Sequence, residues 1–413
     1  MKGNRVLLLA AACLLLSSVT TALAGEIDDL GAAITSGKVG VNVRARYEHV
    51  DQDGFPDDAD AVTARLRLNY RTGLWNGWSG FAEYDHVFHL LDDFNSGGGT
   101  SPSKGQYPVV ADPDGSDLNQ LYLDYSTSED WKVRVGRQRI LLDNQRFVGG
   151  VGWRQNEQTY DAATFSTSAI QKTKLQYSYV SFVRRIFGDD VDAGKHNTDA
   201  HLLNAKVTLN DAWSVTPYFY YIDNKDAFAA STQTFGARVA GSMPAGDGKL
   251  ILTGDFATQS DAGDNPANYD ESYVRLDGTW ALENGLSLGL SYESLGGDAN
   301  NGGEFFRTPL ATLHAFQGWA DKFLNGGLGN IDGGIEDIFF TAKYKAGAWN
   351  LTGIYHDFSA ESGGGDYGTE IDVSIGRGFA ENYGILFKGA FFSSDSASFT
   401  DTDKFWIMFT ANY

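Results

Sequence analysis

The sequence contains very little cysteine and proline, and it has no long apolar run. Only one of its 413 residues is cysteine and 8 are proline, which excludes a disulfide-stapled scaffold and a proline-rich disordered chain. No stretch of about 18 apolar residues offers a membrane-spanning helix. The formal net charge of -21 argues against nucleic acid as a partner, because phosphate binding needs clustered Lys and Arg.

Residues 1–24 have the features of a secretory signal peptide. Positive residues precede an apolar stretch over 6–16, and the Ala22-Leu23-Ala24 sequence, with small residues at its first and third positions, predicts a cleavage site. The single cysteine, Cys13, lies in the apolar stretch, so the mature chain has no thiol for a disulfide, a metal or a nucleophile. No linker divides residues 25–413, and we expect one domain without a cofactor.

The main signal after residue 38 is alternation with period two, which places successive side chains on opposite faces of a β-strand. Eighteen such segments follow one another, each long enough for a tilted transmembrane strand of about 9–11 residues. We predict an all-β, up-and-down antiparallel transmembrane barrel of about 18 strands, which closes without an exposed edge. The predicted strands are 37–50, 60–73, 78–91, 117–127, 130–141, 157–166, 171–186, 199–210, 213–223, 231–243, 248–259, 269–281, 285–295, 335–346, 348–359, 367–378, 382–393 and 403–413.

The connections between these strands alternate between short and long. Short links such as 75–78 and 283–285 alternate with loops near 92–116, 187–198 and 296–334. Bacterial outer-membrane barrels have short periplasmic turns and long outer loops. The sequence therefore predicts the outer membrane of a Gram-negative bacterium, with both termini in the periplasm. Outer-membrane lipid and lipopolysaccharide are the expected partners, and the oligomeric state stays open.

The strand face that points away from lipid is mainly basic, whereas the long loops are mainly acidic. Fixed positive charges in a narrow aqueous pore lower the barrier for an anion, which predicts a channel for small anionic or saccharide solutes. A ladder of arginine–carboxylate pairs that braces the wall is the alternative interpretation, and both can hold. The predicted pore-lining residues are Arg44, Arg46, Arg65, Arg67, Arg71, Glu83, Asp85, Asp124, Lys132 and Arg134.

Two stretches, 133–161 and 304–324, carry the most specific motifs. They contain Gly136-Arg137-Gln138, Trp153-Arg154 and Asp161 in the first, and Thr308-Pro309-Leu310 with Gly318-Trp319-Ala320-Asp321 in the second. These motifs resemble the alginate export family of outer-membrane porins. The resemblance implies an eighteen-stranded barrel with a basic pore, in agreement with the strand count. It leaves open whether the solute is alginate, a uronate oligosaccharide or another small anion, and whether transport is uptake or export.

Other function classes have weaker support in the sequence. The acidic loop 112–117 lacks the closing Glu of an EF-hand, so we predict no metal site. Asp85, His86, His89 and His49 are the candidates for a hydrolase, but no nucleophile can be placed beside them, and we expect no catalysis. A structural or adhesive barrel with acidic surface loops is a further alternative, which ion conductance in a planar bilayer would distinguish.

Residues 308–324 carry the one convincing helical pattern. Thr308 can cap a helix, Pro309 suits its first position, and apolar residues recur at spacings of three and four. A short amphipathic helix needs a surface to pack against. We therefore predict that this loop folds into the barrel mouth, with His314, Gln317 and Asp321 toward the passage. A helix that caps the loops outside the pore is the alternative.

Overall fold

The computed structural model describes residues 27–413, so the predicted signal peptide lies outside the described residues. A helix, α1 (Ile27–Thr35), precedes eighteen strands that form a single antiparallel sheet. Within residues 27–413, no helix is long and apolar enough to cross a membrane. The strands are β1 (Lys38–Gln52), β2 (Ala59–Arg71), β3 (Trp78–Asp93), β4 (Gly115–Ser128), β5 (Trp131–Gln138), β6 (Thr159–Thr167), β7 (Thr173–Arg184), β8 (Lys195–Thr208), β9 (Trp213–Asn224), β10 (Thr232–Pro244), β11 (Gly248–Asp261), β12 (Asp270–Leu282), β13 (Leu286–Leu295), β14 (Ile335–Ala346), β15 (Trp349–Ser359), β16 (Asp366–Phe379), β17 (Tyr383–Ser394) and β18 (Thr402–Asn412).

The sheet closes into a barrel because the last strand pairs with the first. Ala45 of β1 lies opposite Ala64 of β2 on one side and Phe409 of β18 on the other. The backbones of Val41 and Tyr413 exchange hydrogen bonds of 2.8 Å at the end of this seam. Closure leaves no sheet edge with unpaired backbone groups. The predicted strand number and meander order are confirmed.

The two faces of the barrel wall differ in polarity as the alternation predicts. Large apolar side chains such as Leu121, Leu276 and Leu290 are exposed on the outer face. The buried core lies inside the barrel, where loop residues Phe147 and Phe306 pack against wall tyrosines of β9 and β12. An exposed apolar belt around a filled interior is the arrangement expected of a barrel embedded in lipid.

Two long connections account for this internal packing. We name residues 139–158, between β5 and β6, the first inner loop, and residues 296–334, between β13 and β14, the second inner loop. The two loops pair directly, because Val148 and Leu310 form an isolated parallel β-bridge. Strand β5 ends at Gln138 rather than at the predicted 141, because the chain there turns inward and buries Ile140.

The predicted helix over 308–324 is wrong. The structure has only a short 3-10 turn at Leu313–Ala315. Gln317, Gly318 and Asp321 have φ angles of 56°, 80° and 62°, which a right-handed helix does not tolerate. The predicted location is right, because Ala320 and Phe323 are buried against the inner wall.

Helix α1, which the periodicity did not predict, lies against the end of β2, where the Tyr70 hydroxyl donates to the carbonyl of Ile34.

The short turns predict the orientation of the barrel. Asn76 and Gly77 join β2 to β3 with positive φ angles of 46° and 84°, which is the geometry of a type I′ hairpin turn. We expect an epitope tag at Gly98-Gly99 to be detected on intact cells and a tag at Asn76-Gly77 to be detected only after permeabilisation. Detection of the second tag alone on intact cells would reverse the topology.

Candidate functional site

The wall arginines of β1 and β2 hold the first inner loop. Arg44 and Arg46 donate to the carbonyl oxygen of Trp153 over 2.8 and 2.6 Å. Arg65 donates to the carbonyl oxygen of Gln155 over 2.9 Å. Loop carbonyls have no strand partner inside the barrel, so these guanidinium groups satisfy acceptors that would otherwise be buried unpaired. The wall and the loop therefore form one packed unit.

A compact network of charges fixes the same loop to β2 and β3. Arg67 pairs bidentately with Asp85 at 2.7 and 2.5 Å and also reaches Glu157 at 2.7 Å. Arg139 pairs with Glu83 at 2.7 Å and with Glu157. Burial acts to raise the pKa of Glu157, but hydrogen bonds from Arg139 and the charge of Arg67 outweigh it and lower that pKa to about 2. Glu157 is therefore a permanent anion at the centre of this network.

The prediction that these residues line an open passage is wrong for several of them. Arg46, Arg65 and Arg67 point inward as predicted, but they are buried beneath the first inner loop. Their carboxylate partners Glu83 and Asp85 are buried with them. The alternative interpretation, a set of arginine–carboxylate pairs that braces the barrel, describes this part of the wall. Parity along a strand gives the face of a residue, but it does not show which loop covers that face.

Arg154 joins the two inner loops to the wall. Its guanidinium lies 3.0 Å from Glu48 of β1 and 3.3 Å from Asp321 of the second inner loop. Asp321 also contacts Lys404 of β18 at 3.0 Å and His314 at 2.8 Å. Burial acts to raise the pKa of Asp321, but the hydrogen bond from His314 and the charge of Lys404 keep that pKa well below its usual value. His314 and Asp321 are therefore buried in contacts. The prediction that they point toward an open passage is wrong.

Three tryptophans enclose the ammonium group of Lys388 on β17. Its Nζ lies 4.2 Å from the ring of Trp153, 3.7 Å from that of Trp319 and 5.2 Å from that of Trp406. His314 Nε2 is 2.7 Å from the same ammonium. Burial lowers the pKa of His314 to about 3, so the neutral ring accepts this hydrogen bond. Each inner loop contributes one tryptophan, and the cage ties both loops to the barrel.

The motif residues of the two distant stretches come together in this packing. Gly136 has a φ of 127°, and a side chain there would collide with the backbone of Leu121, so a glycine is required. Arg137 pairs with Asp161 at 2.9 Å, and Gln138 donates to the carbonyl of Ala162 over 3.0 Å.

The second motif stretch contacts the first from across the barrel. The residue after Pro309, Leu310, accepts a hydrogen bond of 2.8 Å from the amide of Gly149. Gly318, with positive φ, lies against the carboxylate of Glu370, which accepts from the amides of Trp319 and Ala320. The motifs therefore specify how the two inner loops fold into the barrel.

The candidate catalytic residues do not form a site. Asp85 is buried inside the barrel, while His86 is exposed on the outer face and contacts Ser116 at 2.8 Å. His49 contacts Asp60 at 3.1 Å, and His89 contacts the carbonyl of Asp112. Strand alternation puts Asp85 and His86 on opposite faces, so the pair cannot share a proton.

The end of the lumen near the short turns carries basic residues that the two inner loops do not cover. Asp124 is the shared partner of three of them, at 3.7, 2.8 and 2.6 Å from Arg71, Lys132 and Arg134. Lys174, Lys206 and Lys343 also lie at this end. They are exposed, and none of them has an ion-pair partner within residues 27–413. Two of these, on β7 and β8, lie directly opposite each other. We name this set the basic rim: Arg71, Lys132, Arg134, Lys174, Lys206 and Lys343.

These features define the class of protein: an eighteen-stranded outer-membrane porin with two loops folded into its lumen. A family model described as alginate export matches residues 36–287. The chain belongs to the alginate export family, as its motifs indicated. A search of curated protein sequences finds no match.

Solved structures from Pseudomonas aeruginosa share the fold. OpdO has a TM-score of 0.71 at 14% identity, over 93% of this chain and 99% of that chain. The outer membrane protein OpdK has a TM-score of 0.71 at 13% identity, over 92% and 99%. OccK8 (OprE) has a TM-score of 0.70 at 15% identity, over 92% and 99%. The likeness confirms the predicted barrel fold, and this fold together with the family places the protein in a Gram-negative outer membrane.

Proposed function

We propose that this porin conducts small hydrophilic anions, with carboxylates, including uronates, as the favoured class. The observation that carries the proposal is the charge balance of the basic rim, where six cations share one carboxylate ion-pair partner among the described residues, Asp124. The buried arginines contribute less, because each already faces a carboxylate or a carbonyl. Selectivity therefore rests on the lysines rather than on the arginine cluster of β1 and β2.

The size of the effect follows from Coulomb's law. A unit charge about 6 Å from a passing ion in water is worth roughly 0.7 kcal/mol, or about a threefold change in occupancy, before salt screens it. Lys174 and Lys206 lie opposite each other, so their potentials add at one point of the lumen. Three unpaired lysines outweigh the acidic outer loops because they lie inside the conducting space.

The relatives support a carboxylate as the solute. OpdK has also been solved with vanillate, a carboxylate, at 13% identity to this chain. The family is described by alginate export, and alginate consists of uronate units that each carry a carboxylate. We propose transport and not catalysis as the activity, since the candidate His and Asp residues are separated. Outer-membrane lipid around the apolar belt and lipopolysaccharide beside the acidic loops are the proposed partners.

The test is the reversal potential of the purified protein in a planar bilayer under a potassium chloride gradient. We expect anion preference in the wild type. Replacing Lys174, Lys206 and Lys343 together by Gln should lower the chloride-to-potassium permeability ratio by at least about threefold at low salt. Arg377→Gln is the matched control, because Arg377 stacks on Trp349 at the outer face and its loss leaves the lumen unchanged.

Two results would contradict the proposal. Cation preference in the wild type would show that the acidic outer loops dominate. An unchanged ratio in the triple variant would place selectivity elsewhere in the lumen. Addition of galacturonate in place of chloride then measures whether uronates share the same path.

A further inference from the structure

The outer face of the barrel has a recess across β14 to β18. Its cavity volume is about 570 Å³. Since a water-sized group takes about 30 Å³, the recess has room for most of a fatty acyl chain. The large side chains around it are apolar or aromatic and are exposed on the outer face: Tyr344, Leu351, Val373, Ile375, Phe391 and Phe405. The recess therefore opens toward the membrane and not toward the lumen.

The floor of the recess is a row of small residues in neighbouring strands. Ala342 of β14 lies opposite Gly353 of β15, and Gly353 lies opposite Val373 of β16. Val373 lies in turn opposite Gly389 of β17. Opposite residues of an antiparallel pair share a face, so the whole row faces lipid. The described part of the chain places no non-neighbouring atom within 4 Å of the position that a Cβ would take at Gly353, so that space is open.

Glycines elsewhere on the outer face leave no comparable space. A Cβ at Gly254 of β11 would meet a methyl group of Leu276 at 3.7 Å. A Cβ at Gly278 of β12 would meet a methyl group of Leu252 at 3.6 Å. Neighbouring leucines cover these two glycines, whereas nothing in the described chain covers Gly353.

An arginine lies beside the recess on the same face. Arg377 follows the lining residue Ile375 by two positions on β16, so it points to the same side about 7 Å closer to the short turns. Its guanidinium carbon lies 5.1 Å from the ring centroid of Trp349. In the part of the chain that the structure describes, its Nε has no hydrogen-bond partner and the side chain forms no ion pair. A guanidinium in this state is free to bind a phosphate oxygen.

The position of the recess along the strands selects the kind of lipid. Gly353 and Ile375 lie close to the short-turn ends of β15 and β16, at Trp349 and Phe379. The short turns are predicted to face the periplasm, so the recess lies in the periplasmic leaflet, and lipopolysaccharide belongs to the opposite one. An empty recess would cost its lining atoms their van der Waals partners, so an acyl chain covers it in the membrane.

We propose that the recess is a phospholipid site, in which an acyl chain lies over Gly353 and Gly389 and the phosphate binds Arg377. The chain alone gives little preference over bulk lipid, because the surrounding tails are equally apolar. Charge-assisted hydrogen bonds from the guanidinium to the phosphate supply the preference. The proposal goes beyond general contact between the apolar belt and lipid. It rests on the place of the barrel in the outer membrane and not on anion selectivity.

The test is native mass spectrometry of the purified, delipidated barrel, titrated in detergent with two probes. One is palmitoyl-oleoyl phosphatidylethanolamine, and the other is the diacylglycerol with the same chains, which lacks the phosphate. Because a hydrogen bond to a charged group is worth on the order of a tenfold change in affinity, one phosphatidylethanolamine should bind about tenfold more tightly than the diacylglycerol.

Two substitutions separate the acyl chain from the headgroup. Gly353→Leu fills the recess and should weaken the binding of both probes, and Ala342→Leu fills the same floor from β14 if the first variant does not fold. Arg377→Gln should lower phosphatidylethanolamine binding to the level of the diacylglycerol and leave the diacylglycerol unchanged. Gly254→Leu is the matched control, because it adds a leucine to the lipid-facing wall outside the recess and should leave both probes unchanged. Heat modifiability shows that each variant is folded.

Equal binding of the two probes to the wild type would overturn the proposal, and so would equal losses in Gly353→Leu and Gly254→Leu. Tighter binding of lipopolysaccharide than of phosphatidylethanolamine, or a dimer that Gly353→Leu dissociates, would give the recess another occupant and would also overturn it. None of these results changes the reversal potential, because the recess and Arg377 lie outside the lumen. Failure of this site is therefore distinguishable from failure of the proposed anion selectivity.

Discussion

Deletion of residues 308–324 is expected to raise single-channel conductance by about twofold or more and to weaken discrimination between small and large anions. The segment fills the lumen: Phe323 packs against Phe358 of β15 at 4.9 Å between ring centroids, and Trp319 covers Lys388 of β17. Removing it widens a conducting path whose area the barrel wall then sets.

A matched control for this deletion is removal of residues 54–56. That tip is exposed between β1 and β2 and makes no contact with the inner loops. Its loss should leave conductance unchanged. Gly318→Val tests whether residues 308–324 narrow the lumen without shortening the chain. A side chain at 318 would meet Glu370 and strain a positive φ. Unchanged conductance in a folded deletion variant would place the narrowest point at the first inner loop and the wall arginines.

Arg154→Ala is expected to release both inner loops and to lower the stability of the folded lumen by about 3–5 kcal/mol, the usual cost of removing one partner from a buried ion pair. Its guanidinium lies 3.0 Å from Glu48, 3.3 Å from Asp321 and 3.9 Å from Asp112. Those three carboxylates would lose their shared cation. The measurements are the midpoint of heat modifiability and trypsin cleavage after Arg139 and Arg146 in the first inner loop.

Arg134→Ala provides the comparison for Arg154→Ala. Arg134 also pairs bidentately with an aspartate, at 2.6 and 2.9 Å, but Asp124 keeps Lys132 at 2.8 Å. Arg134 is more exposed than Arg154 and contacts neither inner loop, and the remaining lysine neutralises the carboxylate, so the cost should be below about 1 kcal/mol and the loops should stay protected. Equal losses of stability in the two variants would mean that Arg154 contributes no more than a single ion pair and does not join the loops.

The strands could be predicted from the sequence because their signal is local. Alternation within one segment reports which face is buried, and Arg44, Arg67 and Trp406 all point inward as their parity requires. The contacts that fill the lumen are non-local: Arg154 meets Glu48 across 106 positions. Nothing in the neighbourhood of either residue encodes that distance, so buried arginines and open ones could not be separated.

The candidate site shows the same limit in two further ways. Clustering on β1 and β2 favoured the arginines as the selectivity determinants, yet the unpaired cations are lysines spread over β7, β8 and β14. Apolar residues at spacings of three and four around Phe316 and Phe323 fit a helix, but they equally fit an irregular loop that buries alternate groups against a curved wall. The Trp153-Arg154 motif was the available sequence signal that the first inner loop is important.

The seam between β1 and β18 sets the order in which this protein can assemble. Arg44 and Arg46 on β1 bind the first inner loop, while Lys404 and Trp406 on β18 contact Asp321 of the second loop and Trp153 of the first. Each loop therefore needs a wall strand from one side of the seam, and Arg154 spans the two. Until the seam closes, neither loop has its full set of partners, and their carbonyls and charges must stay in water. We therefore expect loop entry to be coupled to strand closure, and an unclosed barrel to be cleaved by proteases in its exposed 139–158 segment.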